Sequence, residues 1–240
     1  MQQSLCHHCV RRIAIRSGQD DYDRPGAMSI IIATGQRKGG VGKTTLAVSI
    51  AAELTLRGFD IGLVDADSQR SACQWAEPGH LGFEVYEASL AHKSVEEWVT
   101  LVRQMRHKYL VIDCPPQDRD LGVAAALAQI MVVPCMPSSL DIEATIQTLA
   151  IVRAAQMRRA GAPTAILVPN RVNPQTLEGQ NISEELKSFE VEVAPEIGDR
   201  TAFVRSFATG QAVLDYEPGG PADREIRRLA DLLITHLSTQ

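Results

Sequence analysis

The sequence predicts an α/β protein with a mostly parallel, twisted sheet and helices on both faces, three layers in all. Three observations carry that prediction. Runs of five or six apolar residues recur along the chain with helix-length segments between them, and strands that are apolar at every position belong to parallel sheets covered on both sides. A glycine-rich stretch separates the first of these runs from the first helix. Aromatic residues make up only 5% of the 240 residues while Ala, Val, Ile and Leu are plentiful, which disfavours an all-β sandwich.

Taken in order, residues 1–27 combine Arg11, Arg12 and Arg16 with Asp20, Asp21 and Asp23 and close on Pro25-Gly26 without a hydrophobic period. They read as a disordered leader, or as an upstream mis-assigned start, ahead of a single domain over residues 28–240. The leader lacks the apolar core of a secretory signal, and its acidic cluster argues against an organelle transit peptide. A strand at 29–34, the glycine loop, a helix at 44–57 and a strand at 60–64 follow, the last closing on Asp65-Ala66-Asp67. Further strands are expected at 83–87, 109–113, 130–134 and 165–169, with a short one near 191–194. The helix starting near Ser139 shows itself by Ser138-Ser139 as cap, with Asp141 and Glu143 in its first turn.

Composition narrows the function classes. With 45% hydrophobic and 22% charged residues the chain can bury a sizeable core. A net charge of −5 means that nucleic-acid binding would have to rest on a local basic patch. The apolar runs are far shorter than the roughly 20 residues a membrane span requires. Five cysteines, an odd number without a secretory signal, fit a reducing cytosol, and Cys114 and Cys135 sit in apolar stretches as small hydrophobes. Cys6-His7-His8-Cys9 has a metal-like spacing, but the residues after it offer no core to hold ligands tetrahedrally.

The chemistry lies in Gln36-Arg37-Lys38-Gly39-Gly40-Val41-Gly42-Lys43-Thr44-Thr45, between strand and helix, where backbone N–H groups and the positive helix end converge on an anion. Gly39, Gly40 and Gly42 let the backbone wrap phosphates, Lys43 reaches β and γ oxygens, and the Thr44 hydroxyl suits Mg²⁺. This is a phosphate loop of variant type: where a plain loop carries glycine five residues before Gly42, this one carries Arg37, followed by a second lysine, Lys38. A dinucleotide-binding reading fails because Thr45 stands where the third glycine is needed. Asp113, closing the run from Tyr109, suits a magnesium-bound water, with a plain turn or cap as the alternative. Alternation along an extended segment would put Asp65 and Asp67 on one side near the same phosphates, leaving Asp67 to orient or activate water; its alternative is to cap the helix carrying Gln69 to Trp75.

Lys38-Gly39-Gly40-Val41-Gly42-Lys43-Thr44-Thr45, Val64-Asp65-Ala66-Asp67-Ser68-Gln69 and Val111-Ile112-Asp113-Cys114-Pro115-Pro116 together resemble the ParA/MinD family of deviant Walker-A ATPases, over about residues 28–237. Within it the chain is most similar to short ParA-type partition and positioning ATPases that lack an N-terminal helix-turn-helix domain. The resemblance implies an Mg²⁺-dependent ATPase that forms a homodimer on ATP binding, with Lys38 reaching the partner's nucleotide. It further implies nucleotide contacts from Lys38 through Thr45, a magnesium side made by Thr44, Asp113 and Asp67, and hydrolysis supported by Lys38, Lys43 and Asp67. Ser68 departs from the proline that commonly follows the second aspartate. Asn170-Arg171 resembles the adenine-side loop, with Asn170 reading the base edge.

ParA-type resemblance also implies non-specific DNA binding by basic residues near the C-terminal end, matched here by Arg200, Arg205, Arg227 and Arg228. The alternative is a solvated helix face, since Asp199, Asp215, Glu217, Asp223 and Glu225 lie among them. The expected partners are DNA and a ParB-like or other cargo-linked stimulating protein. The expected place is the cytoplasm at the nucleoid, moving a plasmid, chromosome or protein complex. Two rival functions remain. A MinD-like membrane regulator would use an amphipathic last helix, but Ile226, Leu229, Ala230, Leu233 and Leu237 read more simply as core, so no stable membrane association is expected. An iron–sulfur or amide-forming metabolic ATPase would need a ligand set that Cys73, Cys114 and Cys135 do not convincingly form.

Overall fold

The structure, a computed structural model, describes residues 29–91 and 93–238. The expected leader over residues 1–27 and the Cys6–Cys9 spacing lie outside them. Seven strands form one sheet: β1 (Ile30–Thr34), β2 (Ile61–Asp65), β3 (Glu84–Glu87), β4 (Tyr109–Asp113), β5 (Ile130–Cys135), β6 (Thr164–Pro169) and β7 (Glu192–Val193). Their spatial order is β3-β2-β4-β1-β5-β6-β7, and every neighbouring pair is parallel, so the sheet is wholly rather than mostly parallel.

Nine helices among the described residues cover it: α1 (Lys43–Leu56), α2 (Ser71–Ala76), α3 (Val95–Arg103), α4 (Asp118–Leu127), α5 (Ser139–Arg158), α6 (Leu177–Lys187), α7 (Thr201–Thr209), α8 (Val213–Tyr216) and α9 (Pro221–Leu237). Strand alternation divides the core. Ile32, Val111, Val132 and Ile166 pack on one face with α1, α2, α7, α8 and α9. Ile31, Ala33, Leu110, Ile112, Met131 and Leu167 pack on the other with α3, α4, α5 and α6. Both faces of the inner strands β1, β2, β4, β5 and β6 are therefore mostly apolar, which is why they read as continuous runs rather than alternating ones, while the edge strands β3 and β7 carry exposed glutamates.

The apolar stripe of α9 lies inside the first of these cores: Ile226, Leu229 and Leu233 are fully buried and Ala230 is buried beside them. No helix among the described residues is long and apolar enough to cross a membrane. Cys114 and Cys135 are buried free thiols, as their apolar surroundings predict, and Cys73 is half-buried. Among the described residues no group of three or more His, Cys, Asp or Glu side chains is placed to hold a metal ion.

Strand order fixes where a site can form. From β1 the chain moves to one side through β2 and β3, returns to β4, and then continues on the other side from β5. The carboxyl end of β1 is thus a switch point, where the connections diverge and leave a crevice. Register places Thr34 beside Asp113, and Asp113 beside Asp65, at that end of the sheet.

Candidate functional site

Residues 35–42 leave β1 and turn directly into α1. Gly40 and Gly42 have φ of 77° and 95°, the left-handed region that L side chains avoid. A Cβ on Gly39 or Gly40 would meet nothing within 4 Å, so the loop keeps an open concave side. Gly42 is the N-cap of α1 and supplies no side-chain cap, so the first N–H groups of the helix have no capping side chain. Lys43 is buried and its Nζ donates to the Lys38 carbonyl at 3.0 Å. Burial depresses the Lys43 ammonium below the ordinary lysine range, while Asp113, Cys114 and Asp67 pull the other way.

Asp113 stands next to that lysine at the end of β4, fully enclosed. Its Oδ2 accepts the Thr44 hydroxyl at 2.6 Å, whereas its Oδ1 is buried with no hydrogen-bond partner. Burial pushes its carboxyl up to about 7; the Thr44 hydrogen bond and Lys43 oppose the shift, and Asp65 and Asp67 add to it. An orphaned carboxylate oxygen beside a threonine hydroxyl at a helix start is a hard-oxygen donor set suited to Mg²⁺.

Asp65 and Asp67 do different work from that expected by simple alternation. The Asp65 oxygens accept the backbone N–H groups of Asp67 at 3.2 Å and Cys73 at 2.9 Å, so this buried carboxylate fastens the segment leading into α2 instead of facing phosphates. Asp67 is not the cap of α2, which starts at Ser71 after Arg70 turns left-handed at φ 57°. Its Oδ1 accepts the Gln69 N–H at 2.9 Å in a turn that leaves Asp67 half-buried within electrostatic reach of Lys43 and Asp113.

The second lysine is held within the chain. Lys38 Nζ meets Asp141 Oδ2 at 2.6 Å, and Asp141 is itself wholly buried in the first turn of α5, its other oxygen unpartnered. The Ser138 hydroxyl caps this turn, accepting the Asp141 N–H at 3.2 Å and bonding its carboxylate. Sequence reasoning identified Asp141 only as a first-turn acid; nothing in spacing reveals that a carboxylate over a hundred positions away meets Lys38. The loop's other basic residue, Arg37, bridges Asp118 on α4 and Gln147 on α5.

Asn170 is buried, and its Nδ2 donates to the Val41 carbonyl at 2.7 Å, so its amide props the phosphate loop. The packing is tight enough that a Cβ on Gly42 would stand 2.4 Å from Asn170 Nδ2.

The four arginines named as a basic surface divide into two pairs. Arg200 donates to Glu225 at 2.7 Å, and that buried carboxylate also accepts the Gly198 N–H. Arg227 is paired with Asp223 at 2.5 Å and stands 3.5 Å from buried Glu53. Both are exposed arginines whose guanidinium groups are paired with buried carboxylates of the same chain. Arg205 on α7 and Arg228 on α9 are exposed and form no salt bridge among the described residues. Arg200 and Arg228 also line a cavity of about 300 Å³ with Val172, Glu196 and Gly198.

Comparison with known proteins places this geometry. The CobQ/CobB/MinD/ParA nucleotide binding domain matches residues 31–213. A maintenance of carboxysome distribution protein A from Halothiobacillus neapolitanus is 30% identical over 179 residues, spanning 73% of this chain and 82% of that protein. A protein ParA from Rhizobium radiobacter is 25% identical over 189 residues, 75% of this chain and 83% of its own. The MinD cell division protein of Aquifex aeolicus superposes with a TM-score of 0.72 at 18% identity, covering 86% of this chain and 98% of that one, which establishes the shared fold.

Proposed function

Because the chain belongs to the CobQ/CobB/MinD/ParA nucleotide-binding family, we propose that it is an Mg²⁺-dependent ATPase of ParA type that positions or segregates a cargo. In this reading it dimerises on ATP, holds DNA without reading its sequence, and is stimulated to hydrolyse by a ParB-like or other cargo-linked protein. The observation that carries the reading is the phosphate loop with two lysines, Lys43 inside the cradle and Lys38 on its rim. The two relatives support it by length as well as likeness, each matching about three-quarters of this chain. One is named for the distribution of carboxysomes and the other as ParA; the cargo of this chain is left open.

The residues divide the work as follows. The backbone N–H groups of residues 39–45 wrap the phosphates, and the Lys43 ammonium, kept close by burial, leaves the Lys38 carbonyl for the β and γ oxygens. Thr44 Oγ1 and the orphaned Asp113 Oδ1 would hold Mg²⁺, which when bound would supply positive charge to the transferring phosphoryl group. Asp67 orients the attacking water at the edge of the site. Lys38 must leave Asp141 to serve the phosphates, in the partner's site by the implied dimer, where it adds positive charge to the transition state. A lysine that starts from an ion pair with a buried carboxylate makes intrinsic turnover slow and open to stimulation.

DNA contact in this reading falls to Arg205 and Arg228, with dimerisation doubling the patch, while Arg200 and Arg227 shape the surface. The test is binding of the protein to random-sequence duplex DNA by fluorescence anisotropy with Mg-ATP and with Mg-ADP across a salt series, alongside ATP turnover. ATP-dependent, salt-sensitive binding with measurable turnover supports the reading. Absence of DNA binding in both nucleotides removes the DNA-borne positioning role; absence of turnover removes the ATPase.

A further inference from the structure

Gln36, the residue before the two basic side chains of the loop, is fully buried and has no part in the chemistry described above. Its amide makes four hydrogen bonds. Nε2 donates to the Pro134 carbonyl at 3.2 Å and to Thr145 Oγ1 at 3.0 Å. Oε1 accepts the Arg37 N–H at 2.8 Å and the Thr148 hydroxyl at 2.6 Å. The amide has only one orientation that satisfies these partners, because the Arg37 N–H can only donate and the Pro134 carbonyl can only accept. Thr145 passes the network on by donating to the Asp141 carbonyl at 2.8 Å, and Thr148 shares its hydroxyl proton between Gln36 and the Ala144 carbonyl. Thr148 Oγ1 also accepts the Arg37 N–H at 3.2 Å.

One buried amide thus joins the exit of β1, the end of β5 and two successive turns of α5. Asp141, which holds Lys38, lies one turn before Thr145, in the first turn of α5. Two distances decide where the Lys38 ammonium can reach: the position of the loop backbone at 37–38, and the position of the α5 start. Gln36 fixes both against each other. The downstream half of the loop is anchored elsewhere, through Asn170 to Val41 and through α1 itself.

We propose that Gln36 is a positioning residue for Lys38, holding the root of the phosphate loop against α5 so that the lysine side chain changes partner while the backbone beneath it stays in place. This rests on the reading of Lys38 as a lysine that serves the phosphates. Gln36 touches neither nucleotide nor metal in this account. Its loss therefore separates turnover from nucleotide affinity, which Lys43, Thr44 and the glycine backbone carry.

The experiment compares the full chain with Gln36→Met, which keeps the shape and removes the amide, with Thr148→Val, which removes one partner hydroxyl, and with Thr148→Ser, which keeps it. Steady-state ATP turnover is measured beside the affinity for a fluorescent ATP analogue. Gln36→Met and Thr148→Val are expected to lose about tenfold to a hundredfold in turnover, the scale of an ångström-sized misplacement, with affinity unchanged and Thr148→Ser close to the original protein. Turnover and affinity falling together with the folded fraction would overturn the proposal, as would unchanged turnover in both variants. If Gln36→Met does not fold, the Thr148→Val and Thr148→Ser pair decides. An unaltered protein without ATP turnover overturns the reading of the site and this proposal with it; normal turnover that is indifferent to Gln36 overturns this proposal alone.

Discussion

Asp113→Asn tests the electrostatics of the site where they are strongest. The Asp113 carboxyl is enclosed at the end of β4, with one oxygen on Thr44 and the other unpartnered, and burial raises it from 3.8 to about 7. A carboxyl raised on folding binds its proton more tightly in the folded state, so its contribution to stability is complete at low pH and is lost as pH rises towards 7. The whole shift corresponds to about 4 kcal/mol, of which about 2 to 3 kcal/mol falls between about pH 5 and about pH 8. The asparagine cannot ionise and loses none of it. Urea unfolding of both proteins in EDTA, without nucleotide, at a series of pH values is the assay. The stability of Asp113→Asn relative to the original chain is expected to rise by that 2 to 3 kcal/mol, about, on going from the lower to the higher pH. Taking the difference between the two proteins cancels Asp120 and Asp215, raised carboxyls that do not interact with Asp113 and that both proteins carry. A difference that is flat with pH would refute the reasoning, because it would mean that the carboxylate is not held in a low-dielectric, unpaired state.

Lys38→Ala leaves the buried Asp141 carboxylate without its cation and is expected to cost of order 2 to 3 kcal/mol, less than a fully enclosed pair because Lys38 is partly open to water. Chemical denaturation should find much of that loss recovered in the double variant Lys38→Ala/Asp141→Asn. Gly42→Ala forces a side chain onto a φ of 95° and a Cβ to within 2.4 Å of Asn170 Nδ2, so calorimetry should register a loss of nucleotide affinity. Adding Asn170→Ala should recover part of it, since the contact is relieved but the backbone strain is not. Arg205→Ala and Arg228→Ala should each lower the salt slope of DNA binding by about one without affecting stability. Arg227→Ala, whose partners Asp223 and Glu53 are buried, should show its main effect in unfolding instead.

The network around the loop explains why these effects separate. The glycine loop, the Thr44–Asp113 pair and the second lysine lie together at the end of β1, but each is anchored to a different element: α1 and Asn170 for residues 41–43, β4 for Asp113, and α5 for Lys38 through Asp141. A change in one anchor therefore alters one step more than the others.

Local chemistry made much of this protein readable from residues alone. Continuous apolar strands required a sheet covered on both faces, Gly40 and Gly42 required a backbone that turns where side chains cannot, and Lys43-Thr44 after the glycines marked a helix start; each of these is a property of neighbours in sequence. Every expected strand, the short β7 included, and the helices given bounds, α1 and α2, lie within a residue or two of where they were read. What sequence could not supply was pairing across distance. Asp141 with Lys38, Gln36 with Thr145 and Thr148, Asn170 with Val41 and Arg200 with Glu225 join residues separated by between 25 and 129 positions, and their types in isolation fit caps, surface charges or base contacts equally well. Only the packing of α5, β6 and α9 around the end of β1 decides which polar groups lose water, and a buried polar group takes whichever partner the fold brings within reach.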